Sequence, residues 1–472
     1  LTSKSLLTCW KTGCWEVSKQ NIEKIPTAAT KITSIRHGKW WKSAMLYKKT
    51  GGMAMMGGKI NKKPLIVFLI LFIQLFVQVI PAWAAVYYYD ESNRLKSVDY
   101  GQGESIVFNY DNNGNLISKG GTYYLPATAG SCHTAVLKGN GTVWIWGNNG
   151  NGQLGDGTTT DRLTPVQVSG LTGVKAIAAG DEHTAALKED GTVWTWGCNC
   201  YGQLGDGTTT DRLTPVQVSG LTGVKALAAG YHTIALKEDG TVWAWGHNCV
   251  GQLGDGTDND SLIPVQVSGL TGVKAITSGD YNTVALKEDG TVWAWGTNYF
   301  GQLGDGTTID RLTPVQVTGL TGVKAIAESG YHTAALKEDG TVWTWGLNSC
   351  GQLGDGTIDD RLAPVQVSGL TGVKGIAADS AHTAALKEDG TIWLWGQNNY
   401  GQLGDGTTDD SLTPVQVSGL TNVRAVAPGD YHIVAVKEDG TIWAWGFNYH
   451  GQLGDGTTTD RLTPVQVNGL SL

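Results

Sequence analysis

Six histidines recur at a fixed interval. His133, His183, His232, His332, His382 and His432 stand about 50 residues apart, and Asn282 fills the same slot between the third and fourth. One imidazole per repeat could ring a metal ion. The slot alternates in phase with Ala185 and Leu187, however, so it faces packed structure. Asp156 and Asp161 flank a glycine-rich loop, and similar pairs recur in every repeat. Calcium takes clustered oxygen ligands, but this spacing matches no calcium loop, and Asp-Gly pairs are ordinary turn formers. The chain has no zinc-protease motif, nucleophile elbow or phosphate loop. A glycosidase needs two carboxylates flanking a cleft, and a repeated surface loop lacks that asymmetry. Only His247 and His450 break the repetition, each alone. The expectation is no catalytic residue, no metal and no cofactor. Of seven cysteines, Cys200 and Cys249 occupy equivalent places in adjacent repeats, so a bridge is conceivable in an oxidising compartment.

These residues are positioned by a repeat. Gly-Gln-Leu-Gly-Asp-Gly-Thr begins at Gly152, Gly202, Gly251, Gly301, Gly351, Gly401 and Gly451, in steps of 49 or 50 residues. Such a period marks units that cannot bury their apolar faces alone and must pack on one another. The second unit reads as four short strands. Strand A is Val174 to Ala179, strand B is His183 to Lys188, and Asp190-Gly191 signals a hairpin into strand C, Thr192 to Trp196. Strand D is Pro215 to Val218, its proline suited to a sheet edge. Strand C places Trp194 and Trp196 on one face. The Trp-x-Trp pair recurs in all seven units, and fourteen indoles can supply much of a core between units. Ala-rich strand A suits a narrow centre, and strand D suits a rim. The expected class is all-β, a seven-bladed β-propeller of four-stranded antiparallel blades over residues 122–472.

The motif Gly-x-Asn-x-x-Gly-Gln-Leu-Gly-x-Gly, with His-Thr upstream and Pro-Val downstream, resembles the regulator of chromosome condensation repeat. The resemblance implies a seven-bladed propeller and a structural histidine in strand B, bonded to neighbouring backbone. Strand A of the first unit is irregular, replaced by Tyr123 to Gly130. The chain runs from strand A to strand D, so the ring is expected to close between complete blades. Members of the family act as nucleotide exchange factors for a nuclear GTPase or as a plant UV-B receptor. Neither activity is expected here. Units of uniform length leave no room for an inserted wedge, and these tryptophans lie in the repeated core strand.

Residues 53–84 read as a signal peptide or signal anchor. Lys59, Lys62 and Lys63 precede an apolar run from Pro64 to Ile80, and Ala82-Trp83-Ala84 follows. Cleavage is expected after Ala84. Residues 1–52 carry no clear pattern and are read as upstream sequence or a cytoplasmic extension. Residues 85–472 hold 21 Lys+Arg against 40 Asp+Glu, a formal charge of −19, which repels nucleic acid. Over residues 85–121, Tyr89-Asp90 and Tyr110-Asp111 open two similar segments. These resemble the tyrosine–aspartate repeats of Rhs-type bacterial surface proteins, which implies a short β stub ahead of the first blade.

Seven near-copies allow an internal comparison. Lys-Glu-Asp-Gly-Thr stands in units two to seven and Pro-Val-Gln-Val in all seven. Two links vary instead: the A–B link, and the positions around a fixed Asn after Trp-Gly in the C–D link. Antiparallel strands alternate direction, so these two links share one face. That face carries Tyr201, Tyr231, Tyr281, Tyr299, Phe300, Tyr331, Tyr400, Tyr431, Phe447 and Tyr449. Exposed aromatics are what an interface core requires. These ten are the candidate binding residues, expected exposed, for a protein or glycan partner. The function expected is an exported, non-enzymatic binding scaffold, secreted, periplasmic or at the cell surface. It is expected to meet no nucleic acid, and a membrane only through an uncleaved signal. The alternatives are a secreted enzyme inhibitor resembling the β-lactamase-inhibitor propellers, and a lyase or hydrolase with a site at the channel mouth.

Overall fold

The computed structural model describes residues 127–472 in full and, before them, the backbone of four strands. These are β1 (Val86–Tyr89), β2 (Leu95–Asp99), β3 (Glu104–Tyr110) and β4 (Leu116–Tyr123), which form an antiparallel meander in chain order. The meander belongs to a compact unit separate from the one holding Tyr124–Leu472. Tyr89 and Tyr110 end β1 and β3, whereas Asp90 and Asp111 lie outside the described residues, as do residues 53–84, expected to be a signal segment, and residues 1–52.

From Ala127 onward the chain makes seven four-stranded antiparallel sheets, each of four consecutive strands. In blade 2, strand A is Val174–Ala179, B is His183–Lys188, C is Val193–Gly197 and D is Arg212–Gln217. Each innermost strand touches the next, and strand A of blade 7 (Val423–Pro428) touches strand A of blade 1 (Ala127–Ala129). The ring is closed. It closes between complete blades, and that seam uses the same bonds as the others. Gly456 N donates to Leu163 O of blade 1 at 3.0 Å, just as Gly157 N donates to Leu213 O of blade 2.

Two expectations change in detail. Strand D begins three residues before its proline and ends one residue earlier than its sequence pattern suggested. It is an edge strand, so Pro215 needs no ladder partner for its missing N–H. The two tryptophans of strand C also divide their roles. Trp146, Trp196, Trp245, Trp295, Trp345, Trp395 and Trp445 are fully buried, while their neighbours two residues earlier are half-buried. Each half-buried ring carries a lysine above it, as Lys188 Nζ lies 5.4 Å from the Trp194 ring centroid.

The buried indole explains the repeated loop. Trp196 Nε1 donates to the Gln153 carbonyl of blade 1 at 2.8 Å, and the equivalent bond joins all seven seams. Gly155 lies flat against that indole with φ +64°, and a Cβ there would sit 2.7 Å from Trp196 Nε1. Gly-Gln-Leu-Gly is therefore the socket for the next blade's tryptophan. Around each socket small and branched residues of two blades close the core. Ala176, Ala185, Leu187 and Val193 of blade 2 meet Leu227, Ala235 and Trp245 of blade 3.

Candidate partner-binding face

The C–D loops are rigid at their base. Asn199 is fully buried, its backbone N donates to Asp211 Oδ1 at 2.7 Å, and its side-chain Oδ1 accepts from Leu204 N at 3.0 Å. Its Nδ2 donates to the carbonyls of Thr208 and Thr210. The first two bonds recur in every blade, which is why one Asn is fixed amid variable neighbours. The repeated acids have structural partners too. Asp206 Oδ2 accepts from Arg212 Nε at 2.9 Å and Nη2 at 2.6 Å, a pairing present in five blades. Blades 3 and 6 carry Ser261 and Ser411 in the arginine's place.

The six strand-B histidines are buried. Their bonding differs from the expectation of a neighbouring backbone partner: five reach a threonine hydroxyl of the next blade. Where Asn282 replaces histidine, its Nδ2 donates to Glu328 Oε1 of blade 5 at 2.8 Å. Glu328 is a buried acid with no counterpart at its position in other units. Comparison of the links alone missed it, because it ends strand A.

The ten candidate aromatics gather on one face in three clusters. Tyr201, Tyr231 and Tyr281 surround His247, with Tyr201–His247 centroids 4.2 Å apart and Tyr231–Tyr281 centroids 5.1 Å apart. Phe300 bridges Tyr299 and Tyr331 at 4.9 and 6.2 Å. Tyr400, Tyr431, Phe447 and Tyr449 form the third cluster, and His450 joins it edge-on to Tyr449 at 5.0 Å. A–B and C–D links thus meet ring to ring. The expectation of exposure holds for four of the ten. Tyr299 is 75% exposed, Tyr449 69%, Tyr201 38% and Tyr400 36%, while the other six, each with a ring partner, are half-buried. The two histidines that break the repetition therefore sit inside aromatic clusters. His450 Nδ1 also lies 2.8 Å from Asp161 Oδ2 across the closing seam.

Between blades 2 and 3 this face opens into a cavity of about 180 Å³, lined by Asp181, Glu182, Cys198, Cys200, Tyr201 and Tyr231 among others. Cys198 is buried and its thiol is pushed up to about 12, chiefly by that burial. Its Sγ lies 3.4 Å from that of the exposed Cys200. Cys200 and Cys249 are both free, so the bridge conceived between them is not made.

The RCC1-like domain model matches residues 116–328. The regulator of chromosome condensation (RCC1) repeat model matches 339–386, 389–436 and 439–471, and a second model of that repeat matches 323–352, 373–402 and 423–452. No curated protein sequence matches the chain significantly. Among solved structures, Prp20p from Saccharomyces cerevisiae, studied for its binding to Gsp1p and histones, is 26% identical with a TM-score of 0.64. The match covers 71% of this chain and 87% of that one. Yeast RCC1 (Prp20) bound to Kap60 is 25% identical with a TM-score of 0.63, covering 70% of this chain and 84% of that one. Human WBSCR16, 24% identical, shares the fold at a TM-score of 0.63 over 70% of this chain and 94% of its own. With seven sockets of Gly-Gln-Leu-Gly and seven buried tryptophans in a closed ring, the propeller is built of regulator of chromosome condensation repeats.

Proposed function

We propose that this chain is an exported, non-enzymatic scaffold that engages a protein partner through the A–B and C–D loop face. One observation carries the reading. All ten aromatics from the variable links cluster on that face, beside loop bases held in every blade by the same buried Asn. Preorganised aromatic clusters give large contact area at low entropy cost. The yeast structures support a protein as the partner, since Prp20p is described with Kap60, Gsp1p and histones. Export rests on the lysine-rich, apolar, Ala-Trp-Ala sequence before residue 85, and the short sheet β1–β4 is read as a stub of the tyrosine–aspartate type.

The test is affinity capture by the propeller, with two variants compared with the unaltered chain. Replacing Tyr299 and Tyr449 by Ala should weaken capture about tenfold or more. Changing Glu238, Glu288 and Glu338 in the B–C turns should leave capture intact. Equal loss in both variants, or loss only in the second, sinks the reading. N-terminal sequencing of exported material tests the leader: a protein that stays in the cytoplasm with residues 53–84 attached refutes export.

A further inference from the structure

Blade 2 alone places two adjacent acids, Asp181 and Glu182, in its A–B link. Both line the cavity of about 180 Å³. Asp181 is 3% exposed, and its Oδ1 has no hydrogen-bond partner. A buried carboxylate oxygen without a partner is expensive to keep. Glu182 is exposed at the cavity mouth, and its carboxyl is pushed up by partial desolvation and then by the charges of Asp181 and Asp211. Among the described residues, no lysine or arginine lines the cavity. Its one imidazole, His183, is held neutral, taken down to about 3 by burial and by His133. The negative charge is therefore uncompensated within the cavity. Tyr201 and Tyr231 form part of its wall, and the π-faces of tyrosines attract cations. A volume near that of a benzene-binding cavity of about 150 Å³ admits the tip of a long side chain or a small amine.

We infer that this cavity is a subsite for a cationic group, an alkylammonium or guanidinium, held by Asp181 and Glu182 against Tyr201 and Tyr231. The cation comes from a lysine or arginine of the protein partner or from a free amine. The partner version rests on the face proposed above as the binding surface.

The experiment titrates the full chain with three probes: an acetylated and amidated Ala-Lys-Ala peptide, the same peptide with its lysine Nε-acetylated, and n-butylammonium. The charged peptide should bind at least tenfold tighter than its neutral counterpart. Asp181→Asn with Glu182→Gln should remove that difference. Tighter binding of the peptide than of the amine assigns the site to a partner side chain, and the reverse assigns it to a free amine. Equal binding of charged and neutral peptides to the unaltered chain overturns the subsite, and this arm needs no variant to fold. Undiminished discrimination in the double variant overturns it too. Partner capture is measured separately. Equal binding of charged and neutral peptides to the unaltered chain, with capture intact and still sensitive to Tyr299 and Tyr449, sinks the subsite and leaves the face. Probe binding through the two acids, with capture indifferent to those tyrosines, sinks the face and leaves a small-amine site.

Discussion

His183 Nε2 in blade 2 lies 2.8 Å from Thr233 Oγ1 in blade 3. The direction of that bond follows from the threonine's other contact. Thr233 Oγ1 lies 2.8 Å from the Gln203 carbonyl, which can only accept, so the single hydroxyl proton goes there. The histidine must then donate, which sets the Nε2–H tautomer. Five seams carry this chain of imidazole, hydroxyl and carbonyl. Two do not. Asn282 and Glu328 replace it between blades 4 and 5, and Ile433 fills the threonine position of blade 7, leaving both ring nitrogens of His382 without partners.

The broken seam gives a paired prediction. Thr233→Val strands a buried imidazole N–H and should cost about 1–3 kcal/mol. His382→Leu removes a ring whose nitrogens are already unpaired, so it should be neutral or stabilising, because a buried polar group without a partner is itself a cost. Denaturant melts of the two variants check this. A larger loss from His382→Leu than from Thr233→Val would overturn the assignment.

Acid should act on the same residues. Burial takes His133 down to about 4 and His183, His232, His332, His382 and His432 to about 3, from 6.5. The folded state resists protons that the unfolded chain binds. Stability from these groups is thus fully present above about pH 6.5 and is lost as pH falls toward 3–4. Each histidine contributes up to about 1.4 kcal/mol per pH unit in that window. Asp206 and its counterparts act lower. Burial raises their carboxyls, but bonds from Thr208 and Arg212 outweigh it, so their contribution fades only as pH falls below about 4. Melting temperature should fall steeply from pH 6.5 to 4.5, and His382→Leu should lower the proton uptake on unfolding by about one. A flat profile across that range contradicts buried neutral histidines.

Two glycines with the same backbone separate strain from packing. Gly205 has φ +65° and Gly220 has φ +68°. A Cβ on Gly220 meets nothing within 4 Å, while one on Gly205 would stand 2.7 Å from Trp245 Nε1. Gly220→Ala should cost only the left-handed penalty, about 1–2 kcal/mol. Gly205→Ala adds displacement of a core indole and its bond to Gln203, and should cost at least about 1–3 kcal/mol more. Equal losses would mean that the socket does not hold the tryptophan.

Much of this frame is legible in the chain, because repetition converts local signals into global ones. Asp190-Gly191, the Trp-x-Trp alternation and the 50-residue period fix the hairpins, faces and blade number. What stays hidden are contacts between copies. Thr233 and Gln203 look like a strand filler and a loop residue until the blades meet, for their partners lie 50 and 42 residues away, at His183 and Trp245. The fixed Asn199 could be seen as constant, but its role as the loop's hydrogen-bond hub requires the fold. Aromatic exposure could not be read either. Phe300 and Tyr331 come from different blades, and their ring contact across the seam cannot be seen in either repeat alone.

Exposure decides which aromatics can test the face. Tyr299 and Tyr449 project outward at 75% and 69% exposure, so alanine there should alter stability by no more than about 0.5 kcal/mol. Phe300 is half-buried against both Tyr299 and Tyr331, and Phe300→Ala should cost about 1 kcal/mol through lost burial and ring contact. Capture data from Phe300 or Tyr331 variants therefore mix two effects: a lost contact and a loosened loop. The clean comparison is thermal melting beside capture for Tyr299→Ala, Tyr449→Ala and Phe300→Ala. Capture lost with unchanged melting at Tyr299 and Tyr449 places the partner on the outward rings. Capture lost only with Phe300, alongside a lower melting temperature, means that the clusters serve to hold the loops and that the outward tyrosines are idle.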